Sequence, residues 1–146
     1  NREIRKNGIF QGVKRDLKEH WTEVRVTYAQ TDQMMGVHHS RYFEYFEIGR
    51  TELFRSFGYS YKEFEDSGFM LPLVEAHIKF LQQAKYDDIL KIRSFVDGDS
   101  RIKLTVKYQI FVEDRLICEG STIHAFVKKE NFRATRAPEH FLKLFQ

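Results

Sequence analysis

Asp32, Gly36, His38, His39 and Tyr42 lie in one eleven-residue stretch, Asp-Gln-Met-Met-Gly-Val-His-His-Ser-Arg-Tyr. A carboxylate so placed can attack a carbonyl carbon or take a proton from water. The glycine lets the backbone approach a substrate carbonyl closely. If a helix starts just after it, unpaired N–H groups and a partial positive charge are available to an oxyanion. Taken alone, an Asp in such a connection most often makes an Asx-turn; its neighbours turn the reading toward catalysis. Two adjacent histidines seldom converge on one ion, and no cysteine or patterned carboxylate accompanies them, so no metal is expected. His38 reads as structural, His39 as a site residue through its N–H or its ring.

The flanking pattern supplies the elements this chemistry needs. Val24, Val26 and Tyr28 alternate with Arg25 and Thr27, which predicts a half-buried strand over 22–28. Tyr28 is then either its last core residue or part of the site. From 40 to 57, Tyr42, Phe46, Gly49, Leu53 and Phe57 recur at helical spacing, with Ser40 as N-cap and Gly58 beyond the C-terminus. The interior Gly49 costs about 1 kcal/mol against Ala, so it implies close approach to another backbone. Glu47 and Arg50, three apart, are expected to pair. A short helix over 60–66 should follow.

After Pro72 the period falls to two. Strands are expected over 74–80, 88–96, 102–112 and 116–127, with an Asp97-Gly98 hairpin and a turn at Glu113-Asp114. Residues 138–145 read as a terminal helix. One strand, one long helix, then antiparallel strands indicate an α+β fold: a curved antiparallel sheet around the central helix.

The chain has 146 residues, 14 Phe and 7 Tyr, enough for one domain with a bulky core. Its net charge of +3 comes wholly from residues 1–20, read as a basic extension to a single domain over 21–146. The remainder is balanced, which argues against nucleic-acid binding. No apolar run is long enough to span a membrane, and the opening residues lack the apolar core of a signal peptide. Cys118, the only cysteine, excludes a disulfide framework and fits a reducing cytoplasm.

Residues and element order together resemble the hotdog fold. Within it they are similar to the 4-hydroxybenzoyl-CoA thioesterase-like family, which includes the acyl-CoA thioesterases associated with the Tol–Pal system. The likeness runs from about Val24 to Val127. The family pattern is an aromatic residue, an Asp four later, a Gly four after that, then His and Tyr entering the helix. Tyr28, Asp32, Gly36, His39 and Tyr42 match it in type and spacing.

The resemblance implies an acyl-CoA thioesterase. Asp32 would be the catalytic carboxylate, as nucleophile or general base, with Tyr28 and His39 beside it. Gly36, Val37, His38, His39 and Tyr42 would bind the substrate and its oxyanion. Arg101 matches a basic position for CoA, and Lys103, Lys79 and Arg93 are further cations for its phosphates. The resemblance implies no cofactor beyond the CoA of the substrate itself, and sites at the dimer interface of a homodimer or homotetramer. Met34-Met35 is bulkier than the family's pair before the glycine. The competing readings are an acyl-carrier-protein thioesterase and a non-catalytic acyl-CoA-binding regulator. A hotdog dehydratase fits the Asp-centred loop less well, and Asp32 makes a catalytic role for Glu47 redundant.

Overall fold

The computed structural model describes residues 18–145, so most of the expected basic extension lies outside the described residues. The elements run β1 (Glu19–Arg25), α1 (Tyr42–Ser56), α2 (Tyr61–Asp66), β2 (Phe69–Met70), β3 (Leu73–Phe80), β4 (Ile89–Asp97), β5 (Lys103–Val112), β6 (Arg115–Ala125), β7 (Val127–Lys128) and α3 (Glu139–Leu142). Short 3-10 turns occupy Tyr28–Gln30, His39–Arg41 and Lys143–Phe145. Five strands form one antiparallel sheet in the order β1-β4-β5-β6-β3, and β2 pairs separately with β7. This is the α+β arrangement that the pattern of residues predicts. Among the described residues, no helix is long and apolar enough to cross a membrane.

Helix α1 lies on one sheet face because its buried stripe, Tyr42, Tyr45, Phe46, Gly49, Leu53 and Phe54, follows helical spacing. Phe46 stacks on Tyr108 of β5 with centroids 4.3 Å apart and planes within 7°. Burying each such ring stabilises by roughly 1.5–3 kcal/mol. Two glycines set the closeness of this packing. A Cβ on Gly49 would lie 2.4 Å from Ser94 Oγ and 2.7 Å from Ile92 Cγ2. On the strand side, a Cβ on Gly120 would lie 2.6 Å from the Phe46 ring. Gly49 therefore does mark a close approach, but to side chains of β4 and not to a backbone.

At the far end of α1, Phe54, Phe64, Phe126, Phe141 and Phe145 make a second aromatic cluster, with Phe64 and Phe141 5.0 Å apart. It ties α1, α2 and α3 together and accounts for much of the phenylalanine content as core. The helix ends in a left-handed cap: Gly58 has φ 75°, its N–H bonds Arg55 O at 2.8 Å, and the Tyr59 N–H reaches Phe54 O at 3.3 Å.

Three expectations are corrected. The first strand stops at Arg25, and Tyr28 belongs to a 3-10 turn: one further ladder bond joins the Val26 N–H to Asp88 O at 2.9 Å, after which the Gln30 N–H closes on Thr27 O and the Thr31 N–H on Tyr28 O. Residues 126–127 do not extend β6; Val127 instead pairs with Met70 in the small β2–β7 ribbon. The alternation in β3 does not bury one face. Only Ile78 is half-buried, since β3 is the sheet's last strand, beyond the cover of α1.

Arg50 does not pair with Glu47. Its Nη1 donates to Tyr108 OH at 3.1 Å, and a directed chain of donors follows. The Tyr108 hydroxyl donates to Thr122 Oγ1 (2.6 Å), Thr122 to His124 Nε2 (2.9 Å), and His124 Nδ1–H to Leu71 O (3.2 Å). Only a neutral imidazole with its proton on Nδ1 completes this chain. Burial, with the Arg50 charge second, lowers the His124 pKa to about 4.

Two predictions follow from this packing. Gly49→Ala should destabilise the domain by about 1–3 kcal/mol through overpacking, despite its gain in helix propensity. Ser94→Ala in that background should return part of the loss, measured by urea unfolding. The second concerns pH. The unfolded chain binds a proton at His124 near pH 6.5, whereas the folded one resists it until about pH 4. Stability should therefore fall as pH drops through that window and level off below it, by up to about 3 kcal/mol. His124→Gln should flatten that part of the pH–stability profile.

Candidate active site

Residues 30–38 fold back as a miniature hairpin that presents Asp32. Thr31 and Val37 form a bridge, the Asp32 N–H donates to Gly36 O at 2.8 Å, and the His38 N–H donates to Gln30 O at 3.1 Å. Met35, with φ 65°, makes the tight turn, its N–H on Asp32 O at 3.0 Å. The left-handed residue is thus Met35, not Gly36. Gly36 instead leaves room for a neighbouring side chain: a Cβ there would sit 1.9 Å from Nε2 of Gln83.

The loop is fastened on two sides. Val37 N–H bonds Ala84 O at 2.9 Å, and Tyr86 N–H bonds Met35 O at 3.3 Å, which docks it on the segment after β3. On the other side, Gln30 Oε1 accepts from Thr27 N–H at 3.0 Å and from the Tyr45 hydroxyl at 2.8 Å. Gln30 therefore ties the loop to α1. Sequence reasoning passed over it, because a glutamine in a connection carries no pattern of its own.

Asp32 is half-buried. Its Oδ1 accepts from Met34 N–H at 2.9 Å, the Asx-turn that the residue type leads one to expect. Its Oδ2 has no hydrogen-bond partner among the described residues. The carboxylate is thus oriented through one oxygen and available through the other.

The start of the helix differs from expectation. Its cap is His38, not Ser40: His38 Nδ1 accepts from Ser40 N–H at 3.2 Å and lies 2.8 Å from Ser40 Oγ. The 3-10 turn from His39 to Arg41 then leads into α1. Here the backbone N–H groups of Val37, His38, Ser40 and Arg41 are all taken, by Ala84 O, Gln30 O, His38 Nδ1 and His38 O. The N–H of His39 is the one between 37 and 41 with no partner among the described residues. Its ring packs 4.1 Å from that of His38 and 6.5 Å from Phe80.

Asp32, Val37, His39 and Tyr42 line one cleft of about 310 Å³ together with Phe80, Leu81, Gln82 and Gln83. Tyr42 is buried, its ring edge-on to Phe80 at 5.4 Å and its hydroxyl 3.4 Å from Ala84 N. Burial raises its pKa, so it stays a neutral wall residue. The strand-end residues 80–83 were not singled out from sequence; the Gln82-Gln83 pair directly after a strand was the available signal.

Other candidates lie elsewhere. Tyr28 is 65% exposed and packs edge-on to Tyr86 at 5.4 Å; it does not line the cleft. Arg101 and Lys103 line a separate cavity of about 140 Å³ beside α3, where Arg101 faces Glu139 at 3.5 Å. Arg93 is on the sheet face away from α1, bonded to Glu19 at 2.5 Å and Gln109 at 2.9 Å. Lys79 is exposed on β3, opposite Glu119 in the register. Among the described residues, no group of three His, Cys, Asp or Glu side chains is placed to hold a metal ion.

Comparison with known proteins gives this geometry a context. The thioesterase-like superfamily matches residues 26–145. A Bacillus subtilis (strain 168) protein provisionally named an acyl-CoA thioesterase is 30% identical over 124 residues, 84% of this chain and 87% of that protein. A hypothetical protein of Aquifex aeolicus has a crystal structure that superposes with a TM-score of 0.82 at 31% identity, covering 87% of this chain and 99% of its own. The DHNA-CoA thioesterase of Staphylococcus aureus superposes with a TM-score of 0.77 at 28% identity, covering 81% and 80%.

The Gly36 contact yields a structural test. Gly36→Ala should leave the unfolding free energy within about 1 kcal/mol of the parent, because the clash is with the free end of a flexible side chain. A crystal structure of the variant should show the Gln83 amide displaced from its place beside Gly36.

Proposed function

This chain belongs to the thioesterase-like superfamily and is a thioester hydrolase, and we propose that it cleaves acyl-CoA with Asp32 as its catalytic carboxylate. One observation carries this reading. The cleft that holds the free oxygen of Asp32 is also lined by His39, whose backbone N–H is left unpaired at the mouth of α1. A carboxylate and an oxyanion donor are the two groups that acyl transfer requires.

Asp32 either takes the proton of a water attacking the thioester carbon or attacks that carbon itself. Negative charge then develops on the carbonyl oxygen, where the His39 N–H and the positive end of α1 stabilise it. The C–S bond breaks and CoA leaves as a thiolate; the water route gives the free acid directly, whereas on the nucleophilic route water then hydrolyses the Asp32–acyl anhydride to the acid and the regenerated carboxylate. Tyr42, Val37 and Phe80 supply an apolar wall for the acyl group. The His39 ring serves as a wall of the same cleft, and His38 holds the turn that frees the N–H of its neighbour. Tyr28 acts from outside the cleft, through its contact with Tyr86 at the segment that docks the catalytic loop.

A homodimer suits this reading. Strand β3 ends the sheet with an unpaired edge, and Leu73, Val74, Phe80 and Leu81 expose apolar surface along it. Phe80 and Leu81 also line the cleft, so a second copy paired at β3 would roof it. A cytoplasmic setting is also consistent: Cys118 is a buried thiol whose pKa burial pushes up, so it stays protonated and unreactive.

Asp32→Asn keeps the shape and removes the negative charge. It should lower kcat on acyl-CoA by about 10²–10³-fold or more while circular dichroism and the melting temperature stay near those of the parent. Near-parental hydrolysis by that variant would exclude Asp32 as the catalytic carboxylate. A panel of short, long and aromatic acyl-CoAs, followed by thiol release, should reveal the acyl preference.

A further inference from the structure

The cleft has a cationic mouth that is not among the positions the family resemblance implies. Gln82 lines the cleft, and its place is fixed by the sheet: the N–H groups of Leu81 and Gln82 both donate to Ile117 O of β6, at 2.9 and 3.0 Å. This brings Arg115, the first residue of β6, alongside. Its Nη1 donates to Gln82 Oε1 at 3.0 Å. That bond settles which way the Gln82 amide faces: Oε1 is committed to Arg115, and the two Nε2 hydrogens remain as donors.

Arg25, Arg41, Arg55, Arg93 and Arg101 each face a carboxylate within ion-pair distance. Among the described residues, Arg115 shares with Arg50, Arg133 and Arg136 the lack of a carboxylate partner, and of these four it is the one bonded to a residue that lines the cleft. A guanidinium with no carboxylate, braced beside a free amide donor at the edge of a reaction cleft, is suited to an anion. Its planar fork matches a phosphate. In a thioester of CoA or of a carrier protein's phosphopantetheine arm, the thiol part carries phosphate.

We propose that Arg115, with Gln82, binds a phosphate of the phosphorylated thiol leaving group; this rests on the thioester-hydrolase reading above. The chemistry is shared by CoA and by the phosphopantetheine arm of an acyl-carrier protein. The pair holds the leaving-group end of the substrate while Asp32 and His39 act on the carbonyl. Arg115 is a specificity residue, and the C–S bond still breaks without it.

The test compares the parent with Arg115→Gln and Arg115→Lys on three thioesters of one acyl group: acyl-CoA, acyl-carrier protein and the phosphate-free acyl-N-acetylcysteamine. CoA binding is measured in parallel by calorimetry. Arg115→Gln should raise KM for acyl-CoA, and Kd for CoA, about tenfold with kcat within about twofold, and Arg115→Lys should recover part of the loss. The variant's KM should also depend less on salt. Hydrolysis of acyl-N-acetylcysteamine should be unchanged. A loss shared by the carrier-protein substrate identifies the pantetheine phosphate as the ligand, and a loss confined to acyl-CoA identifies the nucleotide phosphates. Unchanged CoA parameters, or an equal loss on acyl-N-acetylcysteamine, would overturn the assignment. If the parent cleaves none of the three yet binds CoA through Arg115, the catalytic reading fails and the phosphate site stands. If it neither cleaves nor binds, both fail.

Discussion

How closely α1 lies on the sheet is the constraint on which the rest of the molecule depends. Phe46 can stack flat on Tyr108 only because Gly120 beneath it has no side chain, and the helix can stay at that height only because Gly49 passes over Ser94 and Ile92 without one. Dense interiors tolerate neither an added methyl nor a void without cost. The two glycines therefore fix the position of the helix, and with it the position of its N-terminus.

That N-terminus matters because the loop that carries Asp32 is built against it. The loop is too short to hold a shape by its own packing, so it is held by bonds to two outside elements and by one internal turn. Gln30 and Tyr45 tie it to the helix. Ala84 and Tyr86 tie it to the segment after β3. The Asx-turn of Asp32 closes it internally. The structural and proposed catalytic readings of Asp32 are compatible, since the Asx-turn engages one carboxylate oxygen and leaves the other without a hydrogen-bond partner among the described residues. The same holds for the histidines. His38 spends its ring on capping the turn, and between residues 37 and 41 His39 is then the residue whose backbone N–H has no partner among the described residues.

The electrostatics divide along similar lines. Deep beneath α1, a chain of neutral donors from Tyr108 to Leu71 starts at Arg50 and holds His124 uncharged, so the core carries little ionic strain. On the far sheet face, Arg93, Gln109 and Glu119 form a polar row joined to Glu19. Beside the cleft, the Arg115 guanidinium is bonded to the neutral Gln82 amide and, among the described residues, faces no carboxylate.

Much of this was legible in the chain itself. Periods of 3.6 and two marked α1, β4 and β5 because one face of each is the more deeply buried over most of its length, and spacing alone brought Asp32, His39 and Tyr42 to one cleft. Local sequence is sufficient there, since loop and helix start are contiguous. Other features were decided only by tertiary structure. Tyr28 continued an alternating pattern yet left the sheet, because Gln30, held by the Tyr45 hydroxyl of α1, caps the chain at Thr27 and closes it into a 3-10 turn. Ser40 had the better residue type for a cap, but the ring of His38 reached the N–H. Arg50 had a carboxylate one helical turn away and turned inward to Tyr108 instead. Gln82, Gln83 and Arg115 entered the site through the pairing of β3 with β6, a contact between distant segments that no local pattern encodes. Periodicity reports which face of an element is buried; which distant residue meets it there is set by how the elements pack.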